Sequence, residues 1–211
     1  MTHTLSDHDH ARIAEAIRAA ETATSGEIYC VVARSSDSYF YPAAFFVTLA
    51  IMLASLIAAL ALEHWWISIR LPVFWAAVAL ALAAAWLVLR LAPGFRMHFV
   101  PRRLRYRRAH DNALKQFLAR NVHITTARTG VLVFVSLAER YAEVVADAGI
   151  NAKVPQQTWN GIVAELVDHA RGDRLADGFV SAIGAIGALL WTHFPHRADD
   201  ANELDDHLVE I

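Results

Sequence analysis

Three carboxylates stand at positions where chemistry is commonly done. Glu27 opens the apolar run EIYCVVA, Asp147 closes YAEVVA beside Gly149, and Asp173 follows Gly172 at the head of an apolar stretch. Ligands of α/β sheets gather at strand ends, and calcium or magnesium takes oxygen ligands. Glu27, Asp147 and Asp173 converging on one sheet edge would therefore begin a site for either cation, with Arg128 or Arg34 placed to hold a phosphate. Ordinary structural roles compete with this reading: Glu27 as the end of a strand, Asp173 as a helix cap. His8 and His10 alternate with Asp7 and Asp9, a spacing open to zinc or nickel but also that of a solvated capping turn. His193 and His196 flank Pro195 at the exit of the last helix, where a cation suits the carbonyl end. Cys30 is the lone cysteine, so a disulfide scaffold and a cysteine zinc cage are both excluded. The chain contains no glycine-rich phosphate loop, nucleophile elbow or HExxH motif.

The elements that position these residues must also account for an unusual composition. Of 211 residues, 56% are hydrophobic, and the mean hydropathy is +0.32. That exceeds an ordinary soluble domain and excludes intrinsic disorder and collagen-like repeats. The formal charge of −2 matters less than its distribution, with an arginine cluster after the apolar region and an acidic end. The first 39 residues are polar, so no cleavable signal peptide is expected.

Phe40 to Leu62 runs 23 residues without a charge, about 34 Å as a helix. After EHWWISIR, Leu71 to Leu89 gives another 19, about 28 Å long. Both lengths suit a bilayer, and the short link makes them a hairpin. Tyr39, Phe40 and Tyr41 at one end and Trp65 and Trp66 at the other suggest aromatic belts. Ala50, Ala54 and Ala58 in the first helix and Ala77, Ala81 and Ala85 in the second suggest the contact face. Only Arg70 lies in the loop, whereas Arg90, Arg96, Arg102, Arg103, Arg105, Arg107 and Arg108 follow the second span. Both termini are therefore expected in the cytoplasm, with Arg102, Arg103, Arg105, Arg107 and Arg108 meeting anionic lipid rather than nucleic acid.

Outside the hairpin, Ser6 and Asp9 form a capping box for a helix reaching about Thr22. β-branched and aromatic residues predict a strand over Glu27 to Ala33. A helix from Arg102 to about Arg120 leaves the membrane, Gly130 opens the buried strand VLVFVS, and YAEVVA returns beside it through a short link. Pro155 starts a helix with the apolar stripe Trp159, Ile162, Val163, Leu166 and Val167. The last helix runs from Arg174 to about His193. Its 15 uncharged residues from Gly178 to Thr192 fall short of a span, leaving a buried core helix or an interfacial one. The segment from Asp199 to Ile211 has six acidic residues and no Lys or Arg. It reads as a solvated terminus or as a strip that docks on a partner or on the arginine cluster.

In this order the elements resemble the TPM domain family, through SGEIYCVVARS at Ser25 to Ser35, TARTGVLVFVSLAERYAEVVADAGI at Thr126 to Ile150, and GDRLADGFVSAI at Gly172 to Ile183. The likeness is to the bacterial membrane-protein branch, whose chains end in a segment similar to HFPHRADDANELDDHLVEI. The resemblance implies an α/β/α sandwich attached to a membrane, in a family linked to acid phosphatase activity, calcium binding, photosystem repair and accessory roles beside receptors. Many members carry Asp-Asn-Gly before the second strand. This chain has Arg128, Thr129 and Gly130 there, which removes an oxygen ligand.

The resulting expectation is an α/β fold with an inserted transmembrane hairpin: residues 1–39 and 92–195 form the domain, 40–91 the hairpin, and 196–211 an acidic tail. Function divides between a non-enzymatic accessory or scaffold factor for other membrane proteins and an acid or metal-dependent phosphatase. The expected partners are the lipid bilayer of a bacterial inner membrane and other membrane proteins, not nucleic acid, and a homo-oligomer is compatible with the sequence. No motif specifies a cofactor; calcium or magnesium is the cation the carboxylates would take.

Overall fold

A computed structural model describes residues 5–125, 128–196, 204 and 206–211. Part of the acidic end, residues 197–203 and 205, lies outside the described residues, as do Thr126 and Ala127. The elements run α1 (Asp7–Glu21), β1 (Glu27–Ala33), α2 (Phe40–His64), α3 (Leu71–Leu91), α4 (Pro93–Phe99), α5 (Arg102–Ala119), a 3₁₀ turn at Val122–Ile124, β2 (Gly130–Ser136), β3 (Tyr141–Ala146), α6 (Ala148–Asn151), α7 (Gln156–Arg171), α8 (Leu175–His193) and β4 (Leu208–Glu210). They divide into two compact units, one of residues 1–36 and 106–211, the other of residues 37–105.

The first unit is built on a mixed four-stranded sheet of order β3-β2-β1-β4. β1 runs parallel to β2, with Glu27 opposite Gly130 and Ala33 opposite Ser136. The segment before the apolar helices thus shares a sheet with strands more than 90 residues later, which satisfies the backbone groups of β1. β2 returns through a tight turn to antiparallel β3. Side chains alternate between faces. Ile28, Cys30, Val32, Val131, Val133 and Val135 pack against α1, α7 and α8, with Trp159, Phe179 and Ile183 buried in that layer. Tyr29, Val31, Ala33, Leu132 and Phe134 face Ala113 and Phe117 of α5. Helices on both sides of a sheet make an α/β/α arrangement.

α1 starts as its residues dictate: Ser6 Oγ accepts the Asp9 N–H, and Asp9 returns a carboxylate to the Ser6 N–H and hydroxyl. The sequence did not announce β4. Within what reads as an acidic tail, Leu208–Glu210 pairs parallel to Cys30–Val32, Leu208 enters the core, and the Arg34 N–H donates to the Ile211 carbonyl.

In the second unit, α2 and α3 pack on one another, and Trp86 Nε1 donates to Thr48 Oγ1 at 3.1 Å. The expected alanine contacts are not the seam: Ala50, Ala54, Ala58, Ala77 and Ala81 are exposed. The half-covered or buried positions instead run Thr48, Ile51, Ser55 and Ala59 on α2, and Phe74, Val78, Leu82, Ala85 and Leu89 on α3. On α2 the seam lies one residue on from the expected stripe, about 100° round the helix, and on α3 it meets that stripe only at Ala85. Tyr39 is also corrected: it is buried with Ala43, Leu89 and Val100 and does not join an aromatic belt, whereas Tyr41, Trp65 and Trp66 are exposed. Arg96 closes this unit, its guanidinium donating to the carbonyls of Leu89, Ser38 and Arg90 and lying over the Phe40 ring. Three helices, α2, α3 and α8, are long and apolar enough to cross a membrane. α8 is half buried by the sheet domain, whereas the surfaces of α2 and α3 are almost wholly bare.

Candidate functional site

Sheet register decides which of the candidate acids meet. Glu27 lies opposite Gly130, and the Asp147 N–H donates to the Gly130 carbonyl, so Glu27, Gly130 and Asp147 form one row across three strands. The row lies at the amino ends of β1 and β2, on the face covered by α5. Both carboxylates are buried at 8% exposure. One strand separates them, about 10 Å between backbones. The gap is occupied: a Cβ on Gly130 would lie 2.0 Å from the Val122 carbonyl oxygen, so the 3₁₀ turn sits directly on the glycine. Asp147 uses one oxygen to cap Ala148, while Oδ2 is buried with no hydrogen-bond partner among the described residues.

Asp173 does not join this row. It lies in the left-handed link between α7 and α8, at φ 62°, and those helices cover the other face. Arg128 precedes β2 at the same sheet end as Glu27, whereas Arg34 follows β1 at the opposite end. His8 and His10 project on different sides of α1, and His10 Nε2 meets Glu210 Oε1 of β4 at 3.2 Å. His193 occupies the last turn of α8, where its carbonyl accepts from Lys153 Nζ; the His196 N–H donates to Ala23. Among the described residues no three His, Cys, Asp or Glu side chains gather as a metal site. Burial pushes the Cys30 thiol far up, so it is an inert core group. Of the arginine cluster, Arg102, Arg103, Arg107 and Arg108 are exposed on α5 and Arg105 is half-buried.

The carboxyl ends of β1 and β2 carry a polar cluster that no sequence signal marked. Glu139, 3% exposed in the β2–β3 turn, accepts the Ser36 N–H at 2.9 Å and the hydroxyls of Ser35 and Ser136. Ser136 has one hydroxyl proton and gives it to Glu139, so at 2.9 Å from Ser36 Oγ it accepts, and Ser36 donates. The direction is Ser36 to Ser136 to Glu139. Ser136 pairs with Tyr141, whose phenol donates to Glu143 Oε2 at 2.8 Å, and Glu143 also receives His110 Nδ1 from α5 at 2.9 Å. A carboxylate oxygen accepts, so Nδ1 carries the hydrogen in this contact. Burial, then Glu143, holds the Tyr141 phenol well above its usual range. The serine–Glu139 chain spends its polar groups internally, tying the end of β1 to the β2–β3 turn, while the second chain fastens α5 to β3.

The comparisons agree with this architecture. Residues 94–189 match the profile of the TPM domain. The NMR structure of BA42 protein from the psychrophilic bacterium Bizionia argentinensis is similar in fold, with a TM-score of 0.62 at 18% identity, covering 100% of this chain and 98% of that one. None of the curated proteins matches the chain.

Proposed function

We propose, from the premise that the chain carries a TPM domain, that it is an integral membrane protein of the bacterial inner membrane. Both termini face the cytoplasm, and the TPM domain serves as a non-enzymatic accessory or scaffold factor for other membrane proteins.

One observation carries the reading. α2 and α3 leave Leu49, Leu53, Leu56, Ile57, Leu60, Leu80 and Leu87 bare to the outside, a contiguous apolar surface that water does not tolerate and a bilayer covers. The arginines that follow α3 support the cytoplasmic assignment and anionic-lipid contact. Glu27 and Asp147 share a row but Val122 divides them, and Asp173 lies with the other layer, so the phosphatase alternative has the weaker support.

Cross-linking in native membranes followed by affinity capture of the full chain in mild detergent tests the proposal. A reproducible set of membrane proteins supports it, and repeated capture of none overturns it. Phosphate release by the purified chain under magnesium, manganese or calcium, abolished by Glu27→Gln and Asp147→Asn, would instead establish the enzyme.

A further inference from the structure

We propose that the outer stripe of α5 is a docking face for an anionic bilayer surface, with Leu114 and Leu118 entering the acyl boundary. The inference rests on the membrane reading above and adds a second, peripheral contact made by the sheet domain itself.

The helix is fixed in rotation by its inner side: Ala113 and Phe117 pack on Leu132 and Phe134. That leaves Arg107, half-buried Asp111, Leu114 and Leu118 in succession on the opposite side, at spacings of four, three and four residues. Leu114 is 39% and Leu118 56% exposed, and Ile124 just beyond the helix is 62% exposed. Exposed leucines scattered singly need no explanation, but here two share one stripe and a third apolar residue follows. The charge around them selects the occupant. α5 has six Lys or Arg against one Asp, with Arg107, Arg108 and Lys115 exposed beside the leucines. A helix with leucines between basic side chains lies in the interface, its long cationic stems reaching up to phosphates. An acidic protein surface would meet the charges but would not need the leucines.

The full chain is reconstituted in vesicles of phosphatidylcholine with or without phosphatidylglycerol. An environment-sensitive fluorophore is placed in turn at Leu114→Cys, Leu118→Cys, Leu56→Cys on α2 and Asp168→Cys on α7; Cys30 is buried and silent. Nitroxide-bearing lipids are then added. Labels at 114 and 118 should lose fluorescence in the anionic vesicles, the loss shrinking as salt is raised, while the label at 168 is unaffected. Quenching at 56 with none at 114 or 118 overturns the docking face and leaves the membrane reading standing. No quenching at 56 removes the membrane reading and the inference with it. Equal quenching in neutral vesicles refutes the charge argument. Protection of the label at 118 by protein, lifted by Asp199→Asn, Asp200→Asn and Glu203→Gln together, which leave the β4 residues unchanged, assigns the face to the chain's own acidic end instead.

Discussion

Glu21 Oε1 accepts the Ile28 N–H at 2.7 Å, on the edge of β1 that β4 leaves uncovered. Glu27 donates its N–H toward β2, so Ile28 points the other way, and β4 begins its pairing only at Cys30. The carboxyl substitutes for a strand. Burial, opposed by the Ile28 hydrogen bond and reinforced by Glu27 and Asp206, raises the Glu21 pKa from 4.5 to about 9.

The sign of the pH dependence follows. Between pH 4.5 and about 9 the folded chain holds a proton on Glu21 that the unfolded chain releases, so the contribution of Glu21 to stability is fullest below pH 4.5 and declines as pH rises through that window. Glu21→Gln keeps the acceptor for Ile28 and removes the titration. Its melting temperature in detergent micelles should be higher than wild type near pH 8 and nearly flat with pH. An unchanged slope would show that Glu21 does not hold the proton.

Two glycines should respond in opposite directions. Gly130→Ala drives a methyl group into the Val122 carbonyl. The clash should cost about 3 kcal/mol or more, at the upper end of core overpacking. Gly184 sits exposed within α8 with nothing within 4 Å of its would-be Cβ, and Gly184→Ala should gain up to ~1 kcal/mol from helix propensity. Thermal melts of both variants check the pair.

Much of this fold is legible before any coordinates. The strand limits of β1, β2 and β3 follow from β-branched runs, and α1 and α7 from a capping box and an apolar stripe. β4 was invisible because three residues among acids have no pattern of their own; the exposed edge of β1 makes them a strand. The Ser36–Ser136–Glu139 chain was equally hidden, since its members lie about 100 residues apart in sequence and only the register of β1 on β2 brings them together. Glu27 and Asp147 stand in one row with Gly130 between them, and the backbone of Val122 over Gly130 is a tertiary fact that no spacing encodes.

Membrane topology has a sharper test than the native thiol allows. Cys30 is fully buried, so its failure to react would say nothing about sidedness. With Ser68→Cys between α2 and α3, and Asp168→Cys exposed on α7, a membrane-impermeant maleimide should label 68 and not 168 in intact spheroplasts. Labelling of 168 alone would invert the orientation.

The arginines of α5 should separate into two kinds. Arg103 and Arg107 are exposed, and each basic residue near an anionic surface contributes about 1 kcal/mol of attraction. An exposed charge contributes little to the fold itself. Arg105 is half-buried, with Nε enclosed, and its side chain packs as well as carries charge. Replacing Arg103 and Arg107 together with Gln should therefore reduce the preference of the reconstituted chain for phosphatidylglycerol, read as a smaller shift with salt, while the melting temperature stays within error. Arg105→Gln should do the reverse, lowering the melting temperature with lipid preference nearly intact. If the double variant melts several degrees lower and keeps its lipid preference, the exposed arginines are structural partners within the protein, and lipid contact lies elsewhere.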